Sequence, residues 1–128
     1  AAAGHIITGG DIEDLGTHNQ DSVDYPDIAK KACDSFLSGG YDYGILCCGT
    51  GIGISISANK ISGIRCALPQ DVFAAKATRE HNNPNFIAFG GRIEYKESVE
   101  EMLDAFFDSV FEGGRHQKRV DKMMALEE

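Results

Sequence analysis

The sequence predicts an α/β fold: a single domain of three layers, with a mostly parallel sheet lying between helices. Three observations point to it. Short apolar runs alternate with amphipathic stretches of helical period along the whole chain. The connections between them are short and rich in glycine. The length of 128 residues suits one domain, since domains commonly hold about 100–150 residues. Repeated strand–helix units then imply parallel strands with helices on both faces.

Taken in order, Ala1 to Thr8 reads as the end of a helix stopped by Gly9-Gly10. Asp11 to Leu15 alternates polar and apolar residues, as a strand exposed on one face does. A polar loop runs from Gly16 to Asp24. Asp24 is placed to cap the next helix, which has Pro26 in its first turn and Gly39-Gly40 at its end. Tyr43-Gly44-Ile45-Leu46 opens a buried strand ending at Cys48, and a helix follows from Ile52 to Asn59. Ile64 to Leu68 is a short strand closed by Pro69, Asp71 to Glu80 a helix, and Asn85 to Phe89 a strand stopped by Gly90-Gly91. From Glu97 to Val110, residues Val99, Met102, Leu103, Phe106, Phe107 and Val110 recur at helical spacing. A last helix spans Arg115 to Leu126, with Met123 and Met124 as packing residues. The sheet is of the Rossmann-like or flavodoxin-like kind, and there are no internal repeats or linkers.

Charge and composition exclude several functions. The net charge of −8, from 20 acidic and 12 basic side chains, argues against general nucleic-acid binding. No apolar run approaches the ~20 residues of a membrane span, and no signal peptide is evident, so the cytoplasm is the expected location. The four cysteines, Cys33, Cys47, Cys48 and Cys66, form no C-x-x-C pair, and no histidine stands at zinc-ligand spacing from them. A structural disulfide framework is not expected. Cys33 and Cys66 read as small buried hydrophobes, while Cys47 and Cys48, adjacent on a strand, face opposite sides.

The chemistry concentrates in Cys47-Cys48-Gly49-Thr50-Gly51-Ile52-Gly53. A thiol at the end of a strand here meets a glycine-rich turn and a helix start, whose N–H groups can hold an anion. A thiolate is favoured in such a place, and its pKa should fall below the free value of about 8.5. A tight turn with a buried cysteine is the other reading, and the turn alone does not decide between them. Cys48, Pro69 to Asp71 and Gly90 to Arg92 all fall at strand carboxyl ends, where ligands bind in parallel sheets. Within Arg115-His116-Gln117-Lys118-Arg119, Arg115 and Arg119 share one helix face and could grip a phosphate together; a solvated helix end is the alternative. His81 follows a helix, so it must reach a site from elsewhere, such as a neighbouring subunit.

Several segments together resemble the ribose-5-phosphate isomerase B family. They are Asp21 to Asp27, Cys48 to Gly53, Ala58-Asn59-Lys60, Arg79-Glu80-His81-Asn82, Gly90-Gly91-Arg92 and Gly113 to Asp121, in the family's order. The resemblance implies interconversion of aldose and ketose phosphates through a cis-enediolate, without a metal or other cofactor. It implies Cys48 as the base, Thr50 and the N–H groups of Gly49, Gly51, Ile52 and Gly53 as the enediolate's partners, and His81 as the ring-opening group. Asn82 and Arg92 match substrate- and anion-binding positions, and Arg115 and Arg119 match the phosphate ligands. Tyr25 matches a tyrosine near the sugar, with packing of a helix-start residue on the sheet as its alternative. Asp24 reads as a cap, Lys60 and Lys118 as surface charges, and Cys47 as a buried bystander. His5 and His18 have no claim to chemistry, and His116 keeps a minor phosphate role. The family forms homodimers or homotetramers with shared active sites.

The family's first strand, with an Asp-His pair, lies ahead of Ala1. Its absence would leave unpaired interior edges in the sheet, so the natural protein is expected to carry it. Allose-6-phosphate and galactose-6-phosphate isomerases are the near alternatives. A non-catalytic phosphate-binding module and a cysteine hydrolase using Cys48 and His81 belong to other classes. The nucleotide-binding Gly-x-x-x-x-Gly-Lys-Ser/Thr pattern is absent.

Overall fold

The structure, a computed structural model, describes the backbone of residues 3–8 and 11–14 and the chain from 24 to 127. Ala1, Gly9-Gly10, most of the loop from Gly16, His18 and the start of the Asp21 to Asp27 segment lie outside the described residues. The elements run β1 (Ala3–Thr8), β2 (Asp11–Asp14), α1 (Tyr25–Leu37), β3 (Tyr43–Cys48), α2 (Ile52–Asn59), β4 (Cys66–Ala67), α3 (Val72–Asn82), β5 (Phe86–Gly90), α4 (Val99–Asp108) and α5 (Arg115–Met124). Two compact units result: Ala1–Leu68 with Asn85–Ile93, and Pro69–Pro84 with Glu94–Glu128.

The first unit is a five-stranded sheet in the order β2-β1-β3-β5-β4, with α1 and α2 packed on it. β3, β5 and β4 are parallel, with Cys48 opposite Gly90. β1 runs antiparallel to both of its neighbours, so β3 is paired on each side. The helix end expected over Ala1 to Thr8 is therefore a strand. Ile6, Ile7 and Thr8 are β-branched, and a Gly-Gly pair between two apolar runs signals a hairpin as readily as a helix stop. Gly4 suits the strand to its place, since a Cβ there would already lie 3.3 Å from Ala32 Cβ on α1.

Alternation along β3 buries Gly44, Leu46 and Cys48 and leaves Tyr43, Ile45 and Cys47 half-buried. Leu46, Cys48, Phe86 and Ala88 join Ile28, Ala29, Ala32 and Cys33 of α1 and Ile54 and Ala58 of α2 in one core. Phe86 reaches across Gly44 to meet Phe36 edge to face, ring centroids 5.2 Å apart. The strand expected from Ile64 to Leu68 shortens to Cys66–Ala67. Asn59 accounts for this: its amide donates to the Cys66 carbonyl at 2.9 Å and accepts from the Cys66 N–H at 2.7 Å, closing the edge as a neighbouring strand would. Asp24 precedes α1 as expected, but its side chain makes no capping bond; its carbonyl accepts from Asp27 N–H. Cys33 is fully buried, whereas Cys66 and Cys47 are only partly so, against the expectation of burial for both.

In the second unit α4 and α5 pack against α3, with Ala75, Met102, Phe106, His116 and Val120 buried. The Asp71 side chain caps α3 by accepting from Ala74 N–H at 2.7 Å, and Ser98 with Glu101 forms a capping box on α4. Asn83, in the left-handed region at φ 45°, ends α3. The helix extends past the expected Glu80, which places His81 and Asn82 in its last turn.

Two consequences are measurable. A Cβ at Gly44 would lie 2.2 Å from the Phe86 ring. Gly44→Ala should therefore destabilise the chain by roughly 1–3 kcal/mol through overpacking, read as a lower denaturant midpoint at unchanged slope. Burial, with a smaller contribution from Asp34, pushes the Cys33 thiol from 9.0 up to about 12. A raised pKa in the folded state stabilises the fold below pH 9 and loses that contribution as pH climbs from about 9 towards 12. Cys33→Ala should accordingly flatten the alkaline fall of the melting temperature; an identical alkaline limb in both proteins would contradict this.

Candidate functional site

Three chain segments of the first unit meet at the carboxyl ends of β3 and β5. The loop after β5 is zipped to the loop after β3: Gly91 N–H donates to the Cys48 carbonyl at 2.8 Å and Arg92 N–H to the Gly49 carbonyl at 2.9 Å. The aliphatic and guanidinium atoms of Arg92 lie over Gly49, where a Cβ would come within 3.6–3.9 Å of them. Arg92 is exposed, so its charge remains available beside the turn.

The turn itself depends on glycine at particular points. Gly51 precedes α2 with φ +79°, and a side chain there would strike the Phe89 carbonyl carbon at 2.8 Å and Gly90 N at 3.0 Å. This conformation aims Gly51 N–H at Cys48 Sγ, 3.2 Å away in a buried setting. Thr50, exposed, accepts from Ile52 N–H at 3.2 Å through its hydroxyl. Gly53 leaves room for the Tyr25 ring, whose Cζ would stand 2.5 Å from a Cβ at that position. Tyr25 thus lies against the first turn of α2 instead of the sheet, and it is 42% exposed.

The two adjacent thiols have different surroundings. Cys48 is 93% buried and receives the Gly51 N–H. Cys47 is the more exposed of the two, which reverses the expectation that it is the buried one; strand alternation puts Cys48, not Cys47, in the core with α1 and α2. Burial and the neighbouring Cys48 nevertheless push the Cys47 thiol up, while a backbone hydrogen bond at Gly91 acts in the opposite sense.

The remaining expected residues belong to the second unit. His81 is exposed at the end of α3, and its imidazole stacks on that of His116, centroids 4.3 Å apart and planes 12° apart. Both Nε2 atoms face Glu112 Oε1, at 3.7 Å from His81 and 3.3 Å from His116. Asn82 accepts from Thr78 Oγ1 at 2.9 Å. Arg115 and Arg119 stand exposed one turn apart on α5, which begins after Gly113 and Gly114, both at positive φ. Arg79 is held by the Ser109 carbonyl and Asn83 and lies over the Phe106 ring, which fixes the last turn of α3. The sequence reading assigns Glu112 no role and His116 only a minor one. Glu112 and His116 stand four residues apart across the Gly113-Gly114 turn that starts α5; their meeting with His81 is a tertiary contact that no local pattern encodes.

An α/β protein with a thiol and a glycine-rich turn at the carboxyl ends of parallel strands falls in the class whose ligands bind at those strand ends. Comparison with known proteins narrows this class. The sequence profile described as ribose/galactose isomerase matches residues 3–123. YwlF of Bacillus subtilis (strain 168), whose name assigns it provisionally to the sugar phosphate isomerases, is 52% identical over 84% of this chain and 72% of that protein. Ribose-5-phosphate isomerase B of Escherichia coli (strain K12) is 40% identical over 97% of this chain and 84% of its own length. The structure of Clostridium thermocellum ribose-5-phosphate isomerase B superposes with a TM-score of 0.87 at 42% identity, covering 92% of this chain and 80% of that one. The chain belongs to the ribose/galactose isomerase family, and it is an isomerase.

The zipped loops give a test. A Cβ at Gly90 would lie 2.6 Å from the Thr50 carbonyl carbon and oxygen, so Gly90→Ala must move the turn. Displacements near 1 Å can lower turnover about 100-fold, and a loss of that size is expected with cooperative unfolding retained. Turnover within twofold of the native protein would show that the seating of the turn is unimportant.

Proposed function

We propose that this chain interconverts ribose 5-phosphate and ribulose 5-phosphate through a cis-enediolate, with no metal taking part. The observation that carries the proposal is the buried Gly51 N–H on Cys48 Sγ at the carboxyl end of β3, within a member of an isomerase family. That contact holds the sulfur at the mouth of the glycine turn, where a base for the substrate has to stand. Cys48 removes the proton from C2 of the open-chain aldose and returns it to C1, while a proton passes between the two substrate oxygens. Thr50 and the N–H groups of Gly49, Gly51, Ile52 and Gly53 hold the enediolate; one well-placed donor of this kind is worth roughly 3–4 kcal/mol in the transition state.

His81 opens the furanose ring by proton transfer, a task suited to an imidazole, which can both give and take a proton. Asn82 binds the sugar beside it, Arg92 offers a cation at the turn, and Arg115 with Arg119 binds the phosphate. Tyr25 contributes to the sugar pocket. The enzyme works as a cytoplasmic homodimer or homotetramer with active sites shared between subunits, each chain acting as one domain. The strongly exposed Phe73, Ile52 and Ile56 support association with a second copy. Among described residues no helix is long and apolar enough to cross a membrane. Six-carbon phosphates remain the second reading, because the family's description names galactose as well as ribose.

Ribose 5-phosphate should be converted at an undiminished rate in the presence of a chelator. Cys48→Ala should lower turnover by about 100- to 10,000-fold, the range for loss of a general base, and Cys47→Ala should retain most of it. Equal losses in the two variants would assign the wrong sulfur. Activity on galactose 6-phosphate or allose 6-phosphate exceeding that on ribose 5-phosphate would favour the second reading.

A further inference from the structure

We propose that His81, Glu112 and His116 form a zinc-binding site whose occupation withdraws His81 from proton transfer. The ligand atoms of these three side chains all lie within 4.8 Å of one another, and they form the one such cluster among the described residues. Two imidazoles and a carboxylate are a donor set that zinc favours, leaving a fourth position for water. In a tetrahedral site with bonds of about 2.0–2.1 Å, neighbouring donors stand about 3.3 Å apart. Glu112 Oε1 is 3.3 Å from His116 Nε2 and 3.7 Å from His81 Nε2, so two edges of the tetrahedron are already close to length.

The supports of the cluster are as telling as its distances. Glu112 N–H donates to the Glu80 carbonyl at 3.0 Å, which ties the segment carrying the carboxylate to the turn carrying His81. His116 is buried at the start of α5, its backbone N–H bonded to Gly113, so its ring is a fixed ligand. The stacking of the two rings presents both Nε2 atoms to the same oxygen. His81 and Glu112 are about half exposed, which leaves the His81 ring room to swing inward and leaves the fourth position facing solvent. Binding needs neutral imidazoles: the ion takes the Nε2 lone pairs that would otherwise accept a proton. A zinc-bound His81 has no free nitrogen at that edge for ring opening.

The binding site stands on geometry alone; its effect on turnover rests on the ring-opening role given above to His81. Calorimetric titration of the full chain with zinc chloride should show one equivalent bound, with affinity at least tenfold weaker in His81→Gln and in Glu112→Gln. Both substitutions are at exposed positions, and circular dichroism checks that each variant is folded. Cobalt(II) should give tetrahedral visible bands without a sulfur-to-cobalt charge-transfer band. Absence of binding, unchanged affinity in both variants, or a thiolate band placing the metal on cysteine would each overturn the site. With zinc bound, conversion of cyclic ribose 5-phosphate should fall at least tenfold and recover on chelation. Binding with undiminished turnover would uphold the site and remove His81 from ring opening.

Discussion

The parallel pairing of β3 with β5 is the constraint on which the first unit's site depends. Its register sets Cys48 opposite Gly90, so both strands end at the same level and their following loops start side by side. Two backbone bonds then join the loops, from Gly91 to Cys48 and from Arg92 to Gly49. The closeness of that join is why Gly51 and Gly90 have no space for a side chain. It is also what turns the Gly51 N–H onto the Cys48 sulfur. The juxtaposition of Cys48, the glycine turn and Arg92 thus follows from one strand register and two glycines.

Much of this was legible in the sequence. The end of β3 and the span of α2 were read to the residue, because the apolar run, the glycine turn and the next helix leave little freedom. The N-terminal strand was not: it is held by pairing with β2 and β3, and a glycine pair after an apolar run serves a helix stop and a hairpin alike. β4 was overestimated because the Asn59 side chain, which occupies the Cys66 backbone groups, has no local signature. The grouping of His81, Glu112 and His116 was hidden for the same reason, although each residue lies in or beside a segment singled out by resemblance.

The two adjacent cysteines show how position on a strand separates chemistry. A step of one residue moves Cys47 out of the core face, where burial raises its thiol more than the backbone hydrogen bond at Gly91 lowers it. Exposure alone would favour Cys47; the proposed mechanism instead assigns the base to Cys48, whose sulfur receives the Gly51 N–H at the mouth of the glycine turn. The two rankings are opposed.

Alkylation therefore tests the account most directly. The native protein would be treated with iodoacetamide, with and without ribose 5-phosphate, and the modified cysteines identified by peptide mass spectrometry alongside residual activity. The account predicts that activity is lost in step with labelling of Cys48 and that the substrate slows both. Loss of activity that follows Cys47 labelling, with Cys48 unmodified, would contradict it.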